Sequence, residues 1–197
     1  MVLLRTKKKA GLARRGHKLL KDKLDGLIGK FLDIVKNTES KLEELSVKLP
    51  EAFALMTAAG SMMAPGELEE ASMIPGQTAS IEAGRKNFMG VRVPVYSLKL
   101  EGSPVSYGLM ETPAELDSAL MNLNSLLPDI VELAGNMKAL ELISKEITKV
   151  KRRVNALEYV LIPELSEAIS FIKMKLSEME RSYLTSLMKI KDIVRAR

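Results

Sequence analysis

The 197-residue chain is expected to be mainly α: a long antiparallel two-helix coiled coil with a small α+β insert, a short helix and a β-hairpin, at one end. Both ends carry apolar residues at alternating three- and four-residue steps, which place one narrow apolar seam on each helix. The middle, from Gly60 to Ser106, is instead rich in Gly, Pro, Ser, Met and Ala. Aromatic residues make up only 4% of the chain and tryptophan is absent. A wide globular core uses aromatic bulk, whereas a two-helix seam is filled by Leu, Ile, Val, Met and Ala.

In the N-terminal stretch the stripe runs Leu20, Leu24, Leu27, Phe31, Ile34, Thr38, Leu42, Leu45, Leu49. It predicts a helix from about Leu12 to about Ala58, roughly 70 Å long at the α-helical rise. Gly16, Gly26 and Gly29 sit inside it, each costing about 1 kcal/mol relative to Ala. Close helix approach accounts for them, with local softness as the alternative.

Ala64-Pro65-Gly66 and Ile74-Pro75-Gly76 are turn signals that no continuous helix carries. A short helix is expected between them, around Glu67 to Ser72. Val91, Val93 and Val95 alternate with Arg92 and Pro94, and Tyr96, Leu98 and Leu100 follow. That is a strand, with Pro94 marking an edge and Ala79 to Arg85 as its hairpin partner. Val105 to Leu109 is a further strand-like piece.

Thr112-Pro113-Ala114-Glu115 restarts helix, with Thr112 and Glu115 as a reciprocal cap. The C-terminal stripe runs Leu116, Leu120, Leu123, Leu127, Ile130, Ala134, Met137, then Ile147, Val150, Val154, Leu157, Leu161. It continues through Ile169, Ile172, Leu176, Met179, Tyr183, Leu187, Ile190 and Val194. An unbroken helix to Arg195 spans roughly 120 Å, bent at Pro128 and Pro163. The four-residue steps through Leu157, Leu161, Leu165 and Ile169 are a stutter that unwinds the supercoil locally. The organisation is therefore an N-terminal helix within 1–58, an insert with a β-hairpin within 59–111, and a C-terminal helix within 112–197.

Two such helices around a folded insert pair most simply as one antiparallel hairpin; two parallel chains in a dimer are the alternative. In a hairpin, Arg5, Lys7, Lys8, Lys9, Arg14 and Arg15 meet Lys189, Lys191, Arg195 and Arg197 at a basic tip. The net charge of +5 permits an acidic partner, a membrane surface or nucleic acid. With no cysteine, disulfides and thiolate metal sites are excluded. Lysines and arginines follow Leu4 at once, so no signal-peptide apolar run forms. No stretch approaches the roughly 20 apolar residues of a membrane span, and no direct membrane insertion is expected.

The chemistry of catalysis is missing. Phosphate-binding glycine loops are absent, and one histidine cannot build a paired-histidine zinc site. His17 stands among Arg14, Arg15, Lys18 and Lys21 with no carboxylate nearby in sequence to orient it. Glu67, Glu69 and Glu70 read as an acidic helix start rather than a metal cluster. Glu44 with Lys48 and Glu141 with Lys145 are four-residue helix pairs worth about 0.2–0.5 kcal/mol each. No catalytic residue, cofactor or metal is expected. The basic runs around Lys18 and Lys21 and around Arg152 and Arg153 lack the interleaved aromatics of nucleic-acid binding. They are either exposed surface of the rod or contacts for an acidic protein sleeve, the reading preferred here over nucleic acid.

Arg15-Gly16-His17-Lys18-Leu19-Leu20-Lys21-Asp22-Lys23 resembles the N-terminal motif of the D subunit of the V-type and A-type rotary ATPases. Arg152-Arg153-Val154-Asn155-Ala156-Leu157-Glu158-Tyr159-Val160-Leu161-Ile162-Pro163 is similar to that family's C-terminal signature. Lys86-Asn87-Phe88-Met89-Gly90-Val91-Arg92-Val93-Pro94 and Ala114-Glu115-Leu116-Asp117 resemble its middle, and the short middle is of bacterial or archaeal type. The chain departs from the family at its start, where Thr6-Lys7-Lys8-Lys9-Ala10 replaces the usual Pro-Thr-Arg element.

The resemblance implies a non-catalytic central-stalk rotor that couples ATP synthesis or hydrolysis in the catalytic ring to ion translocation. It implies partners: the A and B subunits of that ring, the small F subunit of the stalk, and the C subunit above the membrane ring. It implies a peripheral position on the cytoplasmic side of the membrane. Lys18, Lys21, Arg152 and Arg153 are then candidate contacts to the ring, and the hairpin around Val91 and Val93 a candidate contact to the F subunit. The rival reading is a free-standing coiled-coil scaffold that binds acidic polymers or membrane surfaces.

Overall fold

The computed structural model describes residues 1–64, 66–108 and 112–195. Helix α1 spans Val2–Met62, α2 spans Glu67–Ser72, strands β1 and β2 span Gln77–Phe88 and Val91–Gly102, and α3 spans Ala114–Ala156. A π-helical turn, Leu157–Leu161, leads into α4, Ile162–Arg195. Helix α1 starts well before the apolar stripe because Lys, Arg, Ala and Leu form helix readily without burial. Its first turn closes with Arg5 N–H donating to Met1 O at 3.3 Å. Pro50 lies inside α1 and Pro128 inside α3, and neither ends its helix.

The chain divides into two compact units, Met1–Gly26 with Ile147–Arg197, and Leu27–Glu146. In the second, the buried α1 residues are Leu27, Thr38, Leu45, Ala52 and Ala59, seven apart from Thr38 onward. They face α3 antiparallel. Lys41 reaches Asp129 and Glu132, Lys48 lies by Asn122 and Ser125, and Met56 lies by Leu116 and Leu120. Leu45, Ala52 and Leu126 form a core cluster closed by Leu49, Leu123 and Leu133.

On α3 the seam departs from the expected stripe. Ile130 and Met137 are exposed, while Leu126, Ala139 and Ile143 are buried. The hairpin covers a second face of α3: a Cβ on Gly135 would stand 3.3 Å from the Tyr96 ring. With two neighbours, burial on α3 no longer follows one stripe. Gly16 and Gly29 of α1, by contrast, have nothing within 4 Å of the place a Cβ would take, so close approach does not explain them.

The expected strand at Val105–Leu109 is not formed. Val105 to Gly108 are irregular, and Leu109 lies outside the described residues, as does Pro65 of the expected turn. The segment is instead tied by turn bonds: Ser103 N–H donates to Gly76 O at 3.2 Å and Ser106 Oγ to Ile74 O at 2.8 Å. The Thr112 hydroxyl donates to Gly108 O at 3.2 Å. Glu67 does cap α2, accepting from Ala64 N–H at 2.8 Å, as an acidic helix start should.

In the first unit His17 meets Glu158, and Ala10 and Arg14 share a groove with Ile162, Ile169 and Lys173, again antiparallel. That pairing brings Met1 only to about the middle of α4 at the helical rise. From Lys173 to Arg195 every side chain described is exposed. The expected meeting of both termini in one basic tip is therefore not seen: Lys189, Lys191 and Arg195 run on past the paired stretch, and Arg197 lies outside the described residues. Leu176, Met179, Tyr183, Leu187, Ile190 and Val194 form a stripe that nothing in the unit covers.

Candidate interaction surfaces

The π-turn stands where the apolar spacing stutters. Ile162 N–H donates to Leu157 O, five residues back. The next residue, Pro163, has no N–H to continue an α-helical ladder. The wider turn absorbs that loss, and a π-turn inside a helix often marks a functional position. Here it exposes Tyr159, Val160 and Leu161 together. Glu158, in the same turn, takes His17 at 3.2 Å, so the carboxylate that orients the histidine comes from the other helix. Sequence order alone hid that partner.

Lys18, Lys21, Arg152 and Arg153 are all exposed. Among the described residues none of the four forms an ion pair, so Arg152 and Arg153 do not serve as internal salt bridges. Their charge is left unneutralised at the surface of the first unit.

Val91 and Val93 are placed differently: both are buried, at 8% and 5% exposure. Their side chains are turned inward, away from solvent. The exposed positions beside them are Arg92 and Val95. The hairpin pairs Gln77–Phe88 with Val91–Gly102 in unbroken register, yet covers opposite faces at its two ends. Near the tip Phe88, Val91 and Val93 are covered; further along it is Tyr96, Leu98 and Leu100. A two-stranded ribbon twists strongly, which turns its second face to the same support. Lys30 of α1 places its Nζ 5.4 Å from the Phe88 ring centroid, and Lys86 places its own 5.5 Å away.

Polar anchors fix the insert. Tyr107 Oη donates to Asp117 Oδ1 at 2.6 Å, and burial together with this carboxylate pushes the phenol well above its usual range. Beside it is an apolar cavity of about 230 Å³ lined by Met56, Leu68, Ile74, Leu120 and Leu123. Glu141 accepts from Lys138 at 2.7 Å and from Lys145, and the two ammonium groups hold its carboxyl down at about 2. Among the described residues no group of three His, Cys, Asp or Glu side chains is placed to hold a metal. No described helix is long and apolar enough to cross a membrane.

For an exposed, charged and partly apolar surface, the relatives become decisive. The profile of the family described as the D subunit of ATP synthase matches residues 2–192. The chain belongs to that family. Its relatives include the V-type ATP synthase D subunit of Acetivibrio thermocellus, 46% identical across 98% of this chain and 89% of that protein. Those of Thermoanaerobacter sp. (strain X514) and Clostridium botulinum (strain ATCC 19397 / Type A) are 47% and 44% identical, across 98% of this chain and 94% and 92% of theirs. As a member of the D-subunit family, the chain is a component of a membrane-associated V-type ATP synthase. The long helices, short helix and two-stranded hairpin agree with the fold expected of it.

Proposed function

We propose that this D-family chain is the non-catalytic central-stalk rotor, coupling ATP synthesis or hydrolysis in the catalytic ring to ion translocation. The observation that carries the reading is family membership over residues 2–192, supported by antiparallel pairing of α1 with α3 in one unit and with α4 in the other. A helix pair whose faces differ in charge and apolarity favours different conformations in otherwise equivalent sites around it. Turning it changes which site is favoured, and that differential contact is the coupling free energy. Lys18, Lys21, Arg152 and Arg153 contribute contacts to the A and B subunits, the hairpin region holds the F subunit, and the insert rests on the C subunit. The protein is peripheral, on the cytoplasmic side.

The test is reversal of all four charges to Glu in the assembled complex. The expected result is lost rotation-coupled ATP turnover with unchanged helicity of the isolated chain. Unchanged coupling overturns the ring contacts. A chain that dimerises alone and is retained on heparin in a salt-dependent way favours a free-standing scaffold instead.

A further inference from the structure

We propose that the outer edge of β1 is a strand-pairing site, occupied in the assembled complex by an extended acidic segment of another subunit. The turn joining the strands fixes which backbone groups are free. Met89 at φ 48° and Gly90 at φ 90° form a two-residue turn with both residues left-handed. In such a hairpin the flanking pair, Phe88 and Val91, exchanges both of its N–H···O bonds, and every second pair after it does likewise. These are Lys86–Val93, Gly84–Val95, Glu82–Ser97, Ser80–Lys99 and Thr78–Glu101. The bond from Ser103 N–H to Gly76 O continues the same alternation past the strand ends. The amides and carbonyls of Asn87, Arg85, Ala83, Ile81, Ala79 and Gln77 therefore point away from β2.

The two edges of this ribbon are not equivalent. Pro94 stands opposite Arg85, at a position that exchanges no bond, so its missing N–H falls on the outer edge of β2. That edge is interrupted. The edge of β1 has no proline and no bulge over 12 residues, and every residue from 78 to 87 is exposed. Proteins normally protect an edge of that kind by shortening it, bulging it or covering it. Here the protection is left to another chain.

Charge and shape say what kind of segment fits. Glu82 is the only acidic side chain of β1, and it is bound to Lys99 at 2.6 Å. Toward the tip Arg85 and Arg92, neither in an ion pair among the described residues, stand on the ribbon face opposite the Phe88 ring that Lys86 and Lys30 of α1 approach. Ile81 is 60% exposed between the small Ala79 and Ala83. The occupant is thus extended, with carboxylates toward Arg85 and a bulky apolar side chain beside Ile81. A second copy of this chain, net +5, would bring like charge to the same edge.

The proposal rests on membership of the rotary complex, and the experiment separates the two. Residue-resolved amide exchange is compared between the isolated chain and the assembled ATP synthase. The expected result is at least tenfold slower exchange at Ala79, Ile81, Ala83 and Arg85 in the complex alone. Ala83→Pro removes an outward N–H by the device Pro94 already uses in β2. It should abolish that slowing while the inward amides of Val93 and Val95 stay protected, and Arg85→Glu should weaken it. Assembly with these outward amides still fast overturns the strand-pairing site and leaves the proposed function standing. Slowing in the isolated chain, accompanied by dimerisation, puts a second copy on the edge and overturns the proposal. A chain that joins no ATP synthase overturns both.

Discussion

His17 Nε2 lies 3.2 Å from Glu158 Oε2, joining residues 141 positions apart and tying α1 to the π-turn. With His17 19% and Glu158 47% exposed, the contact is partly screened by solvent. A double-mutant cycle of His17→Ala and Glu158→Ala, read by urea unfolding, should give a coupling of about 0.5 kcal/mol. A cycle that closes at zero means the pair has no energetic role in holding the helices.

Gly16 and Gly29 occupy helix with open space where a Cβ would go. Gly16→Ala and Gly29→Ala should each raise stability by about 0.5–1 kcal/mol, since alanine relieves the entropic cost of glycine in a helix. Gly102→Ala should do the reverse. Gly102 has φ +104° and its Cβ would lie 2.2 Å from Gly76 O. Thermal unfolding of the three variants tests the contrast, and a destabilised Gly16→Ala would mean that the space beside Gly16 is filled rather than open.

Burial of Val91 and Val93 predicts a sharp difference along one strand. Val93→Ala removes two buried methyl groups and should cost about 2 kcal/mol. Val95→Ala, at a 49% exposed position, should cost well under half of that. Amide exchange across the hairpin reads both, and equal losses would deny that the tip is docked on the helices.

Glu141 gives a pH dependence of known sign. Its folded carboxyl is held at about 2, below the ordinary 4.5, by hydrogen bonds and charge from Lys138 and Lys145. A lowered folded value contributes stability above the unfolded value, and that stability is lost as pH falls from about 4.5 toward about 2. A carbon-detected titration of Glu141 should follow that midpoint, rising toward 4.5 in Lys138→Met with Lys145→Met. Tyr107 runs the other way: its raised folded value means stability present below pH 10 and lost above it. An ordinary Glu141 midpoint in the unaltered chain would mean that the two lysines do not hold the carboxylate in solution.

Much of this was legible in the residues. Leu27, Thr38 and Leu45 belong to the stripe read from spacing and are buried, while Ala52 and Ala59 carry the seam on beyond it and Leu42 within it is exposed; alternation around Val91 marked the hairpin. The stutter at Leu157 and Leu161 marked the place where the backbone widens. The helix stripes went astray for one reason. Periodicity reports which side of a helix is apolar, not what covers it. So the stripe from Leu176 to Val194 looked like seam and is bare, while Gly135 carried no signal and sits against Tyr96.

What the chain's order of residues determined is local: where helix persists, where Met89 and Gly90 reverse the chain, and which signature stretches tie it to its family. What only the folded molecule decided is which distant groups meet, Glu158 with His17 and the tip of a ribbon with Lys30. The physical reason is that hydrogen-bond ladders and turns are set by neighbours along the backbone. Burial and charge pairing depend on a second surface, and no single helix carries that surface within itself.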